Sequence, residues 1–131
     1  MGAQRQLYST RSKWEFQFGY SRAVRQGNVI RVAGTAGLDD TGTPVKGGAE
    51  AQTRRALEII EVALQELGAE FKDVIMARIY VRDTASMMDV AVLVGQRFRD
   101  IRPATTILQA GFVDPQILVE IEIEALVSEA T

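Results

Sequence analysis

The chemistry in this sequence is concentrated in carboxylates and guanidinium groups. Glu120, Glu122 and Glu124 follow one another at two-residue steps near the C-terminus. In a strand that spacing puts all three on one face, about 6.6–7 Å apart. Arg78 and Arg82 stand in a second alternating stretch. A carboxylate facing a guanidinium is either a structural ion pair or an acid–base group beside an anion clamp. Burial can bring the carboxylate toward neutral titration, whereas arginine stays charged. The chain has no histidine and no cysteine. That removes Ser-His and Cys-His nucleophile pairs, disulfides and the usual zinc ligands. An all-carboxylate Mg²⁺ or Ca²⁺ site would need an Asp-rich loop to complete it, and none is present, so no metal is expected.

The remaining residues have to position these groups. With 131 residues, 47% hydrophobic and 24% charged, the chain reads as one domain over 1–131. Residues 16–25 and 28–34 read as two strands joined at Gln26-Gly27-Asn28, and 34–42 as a loop. Over 49–67, Leu57, Ile60, Leu64 and Leu67 recur at helical spacing, with Gly68 as the stop. Residues 75–82 alternate, Ile75, Ala77, Ile79 and Val81 against Met76, Arg78, Tyr80 and Arg82. A second helix begins near Ser86, with Asp89 as its capping-box partner. It presents Met87, Val90, Ala91, Val94 and Phe98 on one side. Pro103 ends it, 105–112 return as a strand, and 117–127 alternate most cleanly.

The order ββ-α-β-α-ββ is α+β, and two helices can cover only one face of its sheet. The other face mixes Arg78, Arg82, Glu120, Glu122 and Glu124 with Met76, Tyr80, Leu118 and Leu126. A plainly solvated face does not need so many large apolar groups, so this one reads as a subunit interface. The net charge of −2 argues against nucleic acid as a partner. No apolar run approaches a bilayer span, and the polar N-terminus lacks a signal core. A cytoplasmic protein without membrane partners is expected.

Five segments then share order and spacing with one family. They are Gly19-Tyr20, Gly27-Asn28 with Val32-Ala33-Gly34-Thr35, Gln52-Thr53-Arg54-Arg55-Ala56-Leu57, Tyr80-Val81-Arg82-Asp83, and Arg102-Pro103-Ala104-Thr105-Thr106 before 118–125. From about residue 14 onward the chain resembles the Rid (YjgF-type, reactive-intermediate deaminase) superfamily. The resemblance implies a chorismate-mutase-like fold, a mixed sheet of about six strands with two helices on one face. It also implies a homotrimer with clefts between subunits, and hydrolysis of imines and enamines to 2-keto acids and ammonia without a cofactor.

The same resemblance assigns roles. Glu120 matches the glutamate that manages protons on the imine nitrogen and its attacking water; the competing reading is an ion pair with Arg78 or Arg82. Tyr20 and Gly34 match pocket positions, against the alternatives of a packed strand tyrosine and a bend glycine. The substrate-carboxylate arginine is replaced by Thr105, which offers one neutral hydrogen bond instead of two charge-assisted ones. Either Arg78, Arg22 or Arg102 reaches the same carboxylate, with Arg78 placed on the uncovered face, or the usual activity is gone. Glu122 and Glu124 read as structural charges, Arg54 and Arg55 as a solvated helix face. Trp14 and Phe16 either gate the cleft or cover a hydrophobic edge. Two functions follow: an imine/enamine deaminase, or a non-catalytic trimer that binds a small carboxylate or keto acid. Ribonuclease action, an older label in the family, does not suit an acidic chain without histidine.

Overall fold

A computed structural model describes residues 4–128. Strands β1 (Arg5–Tyr8), β2 (Ala23–Gln26), β3 (Val29–Ala36), β4 (Val74–Val81), β5 (Ala104–Gln109) and β6 (Val119–Leu126) form one sheet in the order β1-β2-β3-β6-β4-β5. All neighbours are antiparallel except β4 and β5, which run parallel. A parallel pair needs a crossover, and helix α3 (Met87–Arg97) supplies it. Helix α2 (Gly48–Glu66) links β3 to β4. This is the mixed α+β sheet expected from the sequence, with α2 and α3 packed on one face.

The core forms where apolar strand positions meet those helices. Ile30, Val32, Ile79, Val81, Val119, Ile121 and Ile123 are fully or almost fully buried from the sheet side, as are Ala56, Ile60, Ala63 and Leu64 of α2. Alanines at 56 and 63 let the helix lie close to the strands, and isoleucines fill the remaining volume. Phe71 and Phe98 close the far end edge-to-face, centroids 5.3 Å apart. Two side chains tie helix to sheet by hydrogen bonds. Arg25 of β2 donates from Nη1 to the Leu67 carbonyl at the end of α2, 2.7 Å. The buried Gln52 of α2 donates to the Gln116 carbonyl at 2.9 Å and accepts from the Leu118 amide at 2.8 Å, at the entrance to β6. Gly37 allows this approach: a Cβ there would lie 2.3 Å from the Gln52 carbonyl oxygen.

Four local expectations are corrected. Residues 16–25 are not one strand, because Lys13–Phe18 form a short helix, α1, capped by the Ser12 hydroxyl accepting from the Glu15 amide at 3.2 Å. Strand β2 begins only at Ala23, and the additional strand β1 pairs with it. In β4 a register shift against β6 lies between Val74 and Met76. The extra residue of this bulge turns Ile75 outward, 45% exposed, and gives Val74 its inner place. Ser86 makes no side-chain cap; a 3₁₀ turn over Thr84–Ser86 leads into α3 instead. The strand expected over 105–112 covers Ala104–Gln109 at the sheet edge. No helix among the described residues is long and apolar enough to cross a membrane.

Candidate functional site

The site forms where β3 breaks step with β6. The register slips between Val32 and Thr35, so one residue is extra on the β3 side. The Gly34 carbonyl is taken by Arg22, whose Nη1 donates to it at 2.7 Å and to Thr35 Oγ1 at 3.2 Å. Arg22 is 8% exposed, so its charge needs compensation within the protein. Glu15 provides it, with Oε2 3.3 Å from Arg22 Nε.

Glu15 is itself buried at 3%. Burial pushes its carboxyl up, but the Thr10 and Ser9 hydroxyls and the Arg22 guanidinium outweigh that and hold it below the ordinary range. Ser9 Oγ donates to Oε1 at 2.8 Å and Thr10 Oγ1 to Oε2 at 2.5 Å. Nε and Nη1 of Arg22 are thereby occupied. Nη2 has no hydrogen-bond partner among the described residues.

Glu120 approaches the same guanidinium from β6. Its side chain is half-buried, and Oε1 occupies the space beside Gly34, 2.7 Å from where a Cβ would stand. No described residue hydrogen-bonds its carboxylate. Burial raises its pKa, and Arg22 offsets part of that rise. Tyr20 lies next to Arg22, the guanidinium 5.6 Å from the ring centroid. Tyr20, Arg22, Gly34 and Glu120 together line a cleft of about 740 Å³. Trp14 and Phe18 of α1 form one wall, and Ile59 and Val62 of α2 belong to another. Arg55 is not simply a solvated residue. Its Nε donates to the Leu38 carbonyl at 2.7 Å and ties α2 to the cleft loop.

Thus three of the residues assigned from the sequence, Glu120, Tyr20 and Gly34, stand in one cleft, and two do not. Thr105 is exposed on edge strand β5, with its hydroxyl donating to the Pro103 carbonyl at 2.9 Å. Arg78 lies 3.9 Å from Glu122, which also accepts from the Tyr80 hydroxyl at 2.7 Å. Arg82 donates to the carbonyls of Ile117 and Asp114, so it shapes a loop rather than meeting Glu120. Arg102 is exposed. Of the arginines considered, Arg22 is the one beside Glu120. Phe16 is 93% exposed and lies off the cleft. Glu15 was missed by sequence reasoning, although Ser12-x-x-Glu15 is a helix-start signal. No cluster of three metal-ligating side chains occurs among the described residues.

A family model described as Endoribonuclease L-PSP matches residues 11–127. A 3-aminoacrylate deaminase, RutC, from Acinetobacter baylyi is 36% identical over 103 residues, 78% of this chain and 82% of that protein. A RutC family protein from Pyrococcus abyssi is 33% identical over 104 residues, 79% of this chain and 82% of that one. A solved structure from Mycobacterium tuberculosis, a member of the YjgF/YER057c/UK114 family, superposes with a TM-score of 0.87. It is 41% identical and covers 95% of this chain and 100% of its own. The break in β3 beside Glu120 therefore lies on a known scaffold: the chain belongs to the Rid (YjgF-type) superfamily, the family that the Endoribonuclease L-PSP model describes.

Proposed function

We propose that this protein is an imine/enamine deaminase that hydrolyses the C=N bond of a small 2-imino acid in the cleft beside Glu120. The observation that carries the reading is the half-buried Glu120 carboxyl, with a raised pKa and no hydrogen-bond donor among the described residues, next to the fixed Arg22 guanidinium. A carboxyl whose pKa is raised is a stronger base than an ordinary carboxylate, and it can take a proton and give it back. As carboxylate, Glu120 accepts a proton from water while the water oxygen bonds to the imine carbon. As acid, it returns that proton to nitrogen to give the carbinolamine; it then takes the hydroxyl proton and passes it to nitrogen too, C=O forms as the C–N bond breaks, and imine plus water become ketone plus ammonia. An enamine enters the same route after protonation at carbon. The residues present do this without a cofactor.

The deaminase name of the Acinetobacter relative supports the reading. The family label of ribonuclease fits poorly with a cleft that has no histidine and an overall charge of −2. Assembly belongs to the same proposal. The uncovered sheet face, with Leu126 48% exposed beside the Arg78–Glu122 and Arg31–Glu124 pairs, becomes the interface of a homotrimer. Such assembly extends the cleft between subunits. A second reading, a non-catalytic trimer that binds a small carboxylate or keto acid, is favoured by one observation: Thr105 turns its hydroxyl to Pro103 and offers no cation.

The test is to generate 2-aminoacrylate in place and follow its decay with wild-type protein and Glu120→Gln. Acceleration by the wild type alone supports the deaminase. No rate above buffer with either leaves the binding reading, which ligand-induced thermal shifts by 2-oxobutyrate then check.

A further inference from the structure

The cleft is larger and more apolar than a three-carbon imino acid requires. At about 740 Å³, it lies within the range of sites that enclose drug-sized ligands. Arg22 and Glu120 lie on its lining, Asp39, Asp40 and Arg55 line it elsewhere, and its α1 wall carries Trp14 and Phe18. Trp14 and Phe18 are stacked, ring centroids 5.9 Å apart and planes at 11°, so two parallel rings make up that wall. Phe18 is 61% exposed, an unusual state for a phenylalanine. Lys13 sits 5.2 Å from the Trp14 ring.

The wall is also held in place. Glu15 lies between Trp14 and Phe18 on the same short helix, and its carboxylate is fixed by Ser9, Thr10 and Arg22. The residue that orients the guanidinium thus also anchors the two rings. A helix of six residues has little stability of its own, so this anchor sets where the rings stand.

On the basis of the deaminase reading above, we infer that the preferred ligands of this cleft are 2-imino and 2-oxo acids with a bulky, flat apolar side chain, the carboxylate held by Arg22 Nη2 and the side chain laid against Trp14 and Phe18. Among the described residues, Nη2 is the one guanidinium nitrogen without a hydrogen bond, and its two N–H groups can donate to a carboxylate. A planar side chain matches the stacked rings in shape and polarity. Aliphatic C3 and C4 acids reach Arg22 and leave the two rings wet.

The experiment compares pyruvate with phenylpyruvate by calorimetry on wild type, Trp14→Ala and Phe18→Ala, alongside the 2-aminoacrylate turnover assay. Phenylpyruvate binding roughly ten- to a hundredfold tighter than pyruvate is expected in the wild type, from burial of one aromatic ring. Each alanine variant should bring that ratio toward one. Equal affinities in the wild type, or tighter pyruvate, overturn the inference even if a variant fails to fold. Turnover that depends on Glu120 would then leave the deaminase reading standing. Binding of neither acid overturns the inference too, and absence of turnover separately removes the deaminase.

Discussion

Two glutamates approach the guanidinium of Arg22, and they differ in almost everything but side chain. Glu15 is more deeply buried, yet its carboxyl is held below the ordinary range, because two hydroxyls and the arginine donate to it. Glu120 is half-buried and its carboxyl is pushed up by that burial, because no donor among the described residues replaces the water it has lost. Burial pushes both carboxyls up; the supply of hydrogen-bond donors decides which of them ends below its ordinary value. One carboxylate is a structural anchor, and the other is left short of partners where a ligand can reach it.

The largest effect should come from breaking the satisfied member. Glu15→Ala removes one half of a buried ion pair and is expected to cost about 3–5 kcal/mol at neutral pH, measured by urea unfolding. Because the folded-state pKa of Glu15 is depressed, its stabilisation is complete above the unfolded value near 4.5 and is lost as pH falls through the folded one. The gap between wild type and variant should narrow on acidification. A gap that stays constant down to acid pH would mean Glu15 works by packing alone.

Glu120→Gln should do the opposite to stability while abolishing turnover. Loss of a general acid–base group lowers the rate about hundredfold or more. The raised pKa of Glu120 means its charged form is disfavoured in the fold. The wild type is thus penalised above the folded pKa and relieved as pH falls through it. The amide variant should melt higher at neutral pH, an advantage that fades on acidification. Arg22, Tyr20 and Tyr80 face Glu120 across the cleft and sheet; of these, Arg22 works against its pKa rise. A lower melting temperature at neutral pH would place Glu120 in the same structural class as Glu15.

A smaller change should make the two acids more alike. Gly34→Ala puts a methyl 2.7 Å from the position of Glu120 Oε1, so the carboxylate has to move toward solvent. Its titration, followed by carbon NMR of the carboxyl, should shift down toward the ordinary value, and turnover should fall about tenfold through the lost proton balance. The smallest effect is expected from Thr105→Arg. If a second copy brings β5 to the cleft, the added cation should tighten 2-oxo acid binding by about tenfold. Unchanged affinity would leave Arg22 as the working anion partner.

Much of this arrangement was legible in the sequence, for reasons particular to each element. Helix α2 shows its buried stripe at Leu57, Ile60 and Leu64 because a helix packed on a sheet must repeat its contacts every turn. Strand β6 alternates Val119, Ile121 and Ile123 against three glutamates because one of its faces packs into the core and the other does not. Helix α1 was hidden because six residues are too few for periodicity to separate helix from strand. The bulge at Ile75 was hidden because its alternation continues unbroken through a residue that the backbone displaces. Glu120, Tyr20 and Gly34 were found through family spacing. The pairing of Arg22 with Glu15 depends on the chain folding the bend before β2 back onto α1, which no local pattern encodes.

Gln52 carries a further consequence. Its amide has the same donor and acceptor as a peptide unit, and it contacts the chain on both sides of Ile117 much as a neighbouring strand would. The helix thereby acts as a template for the first rungs of β6. Two residues downstream of Leu118, the position of Glu120 along the strand is indexed to α2, so sliding β6 by one residue would strand both ends of that amide before it moved the acid.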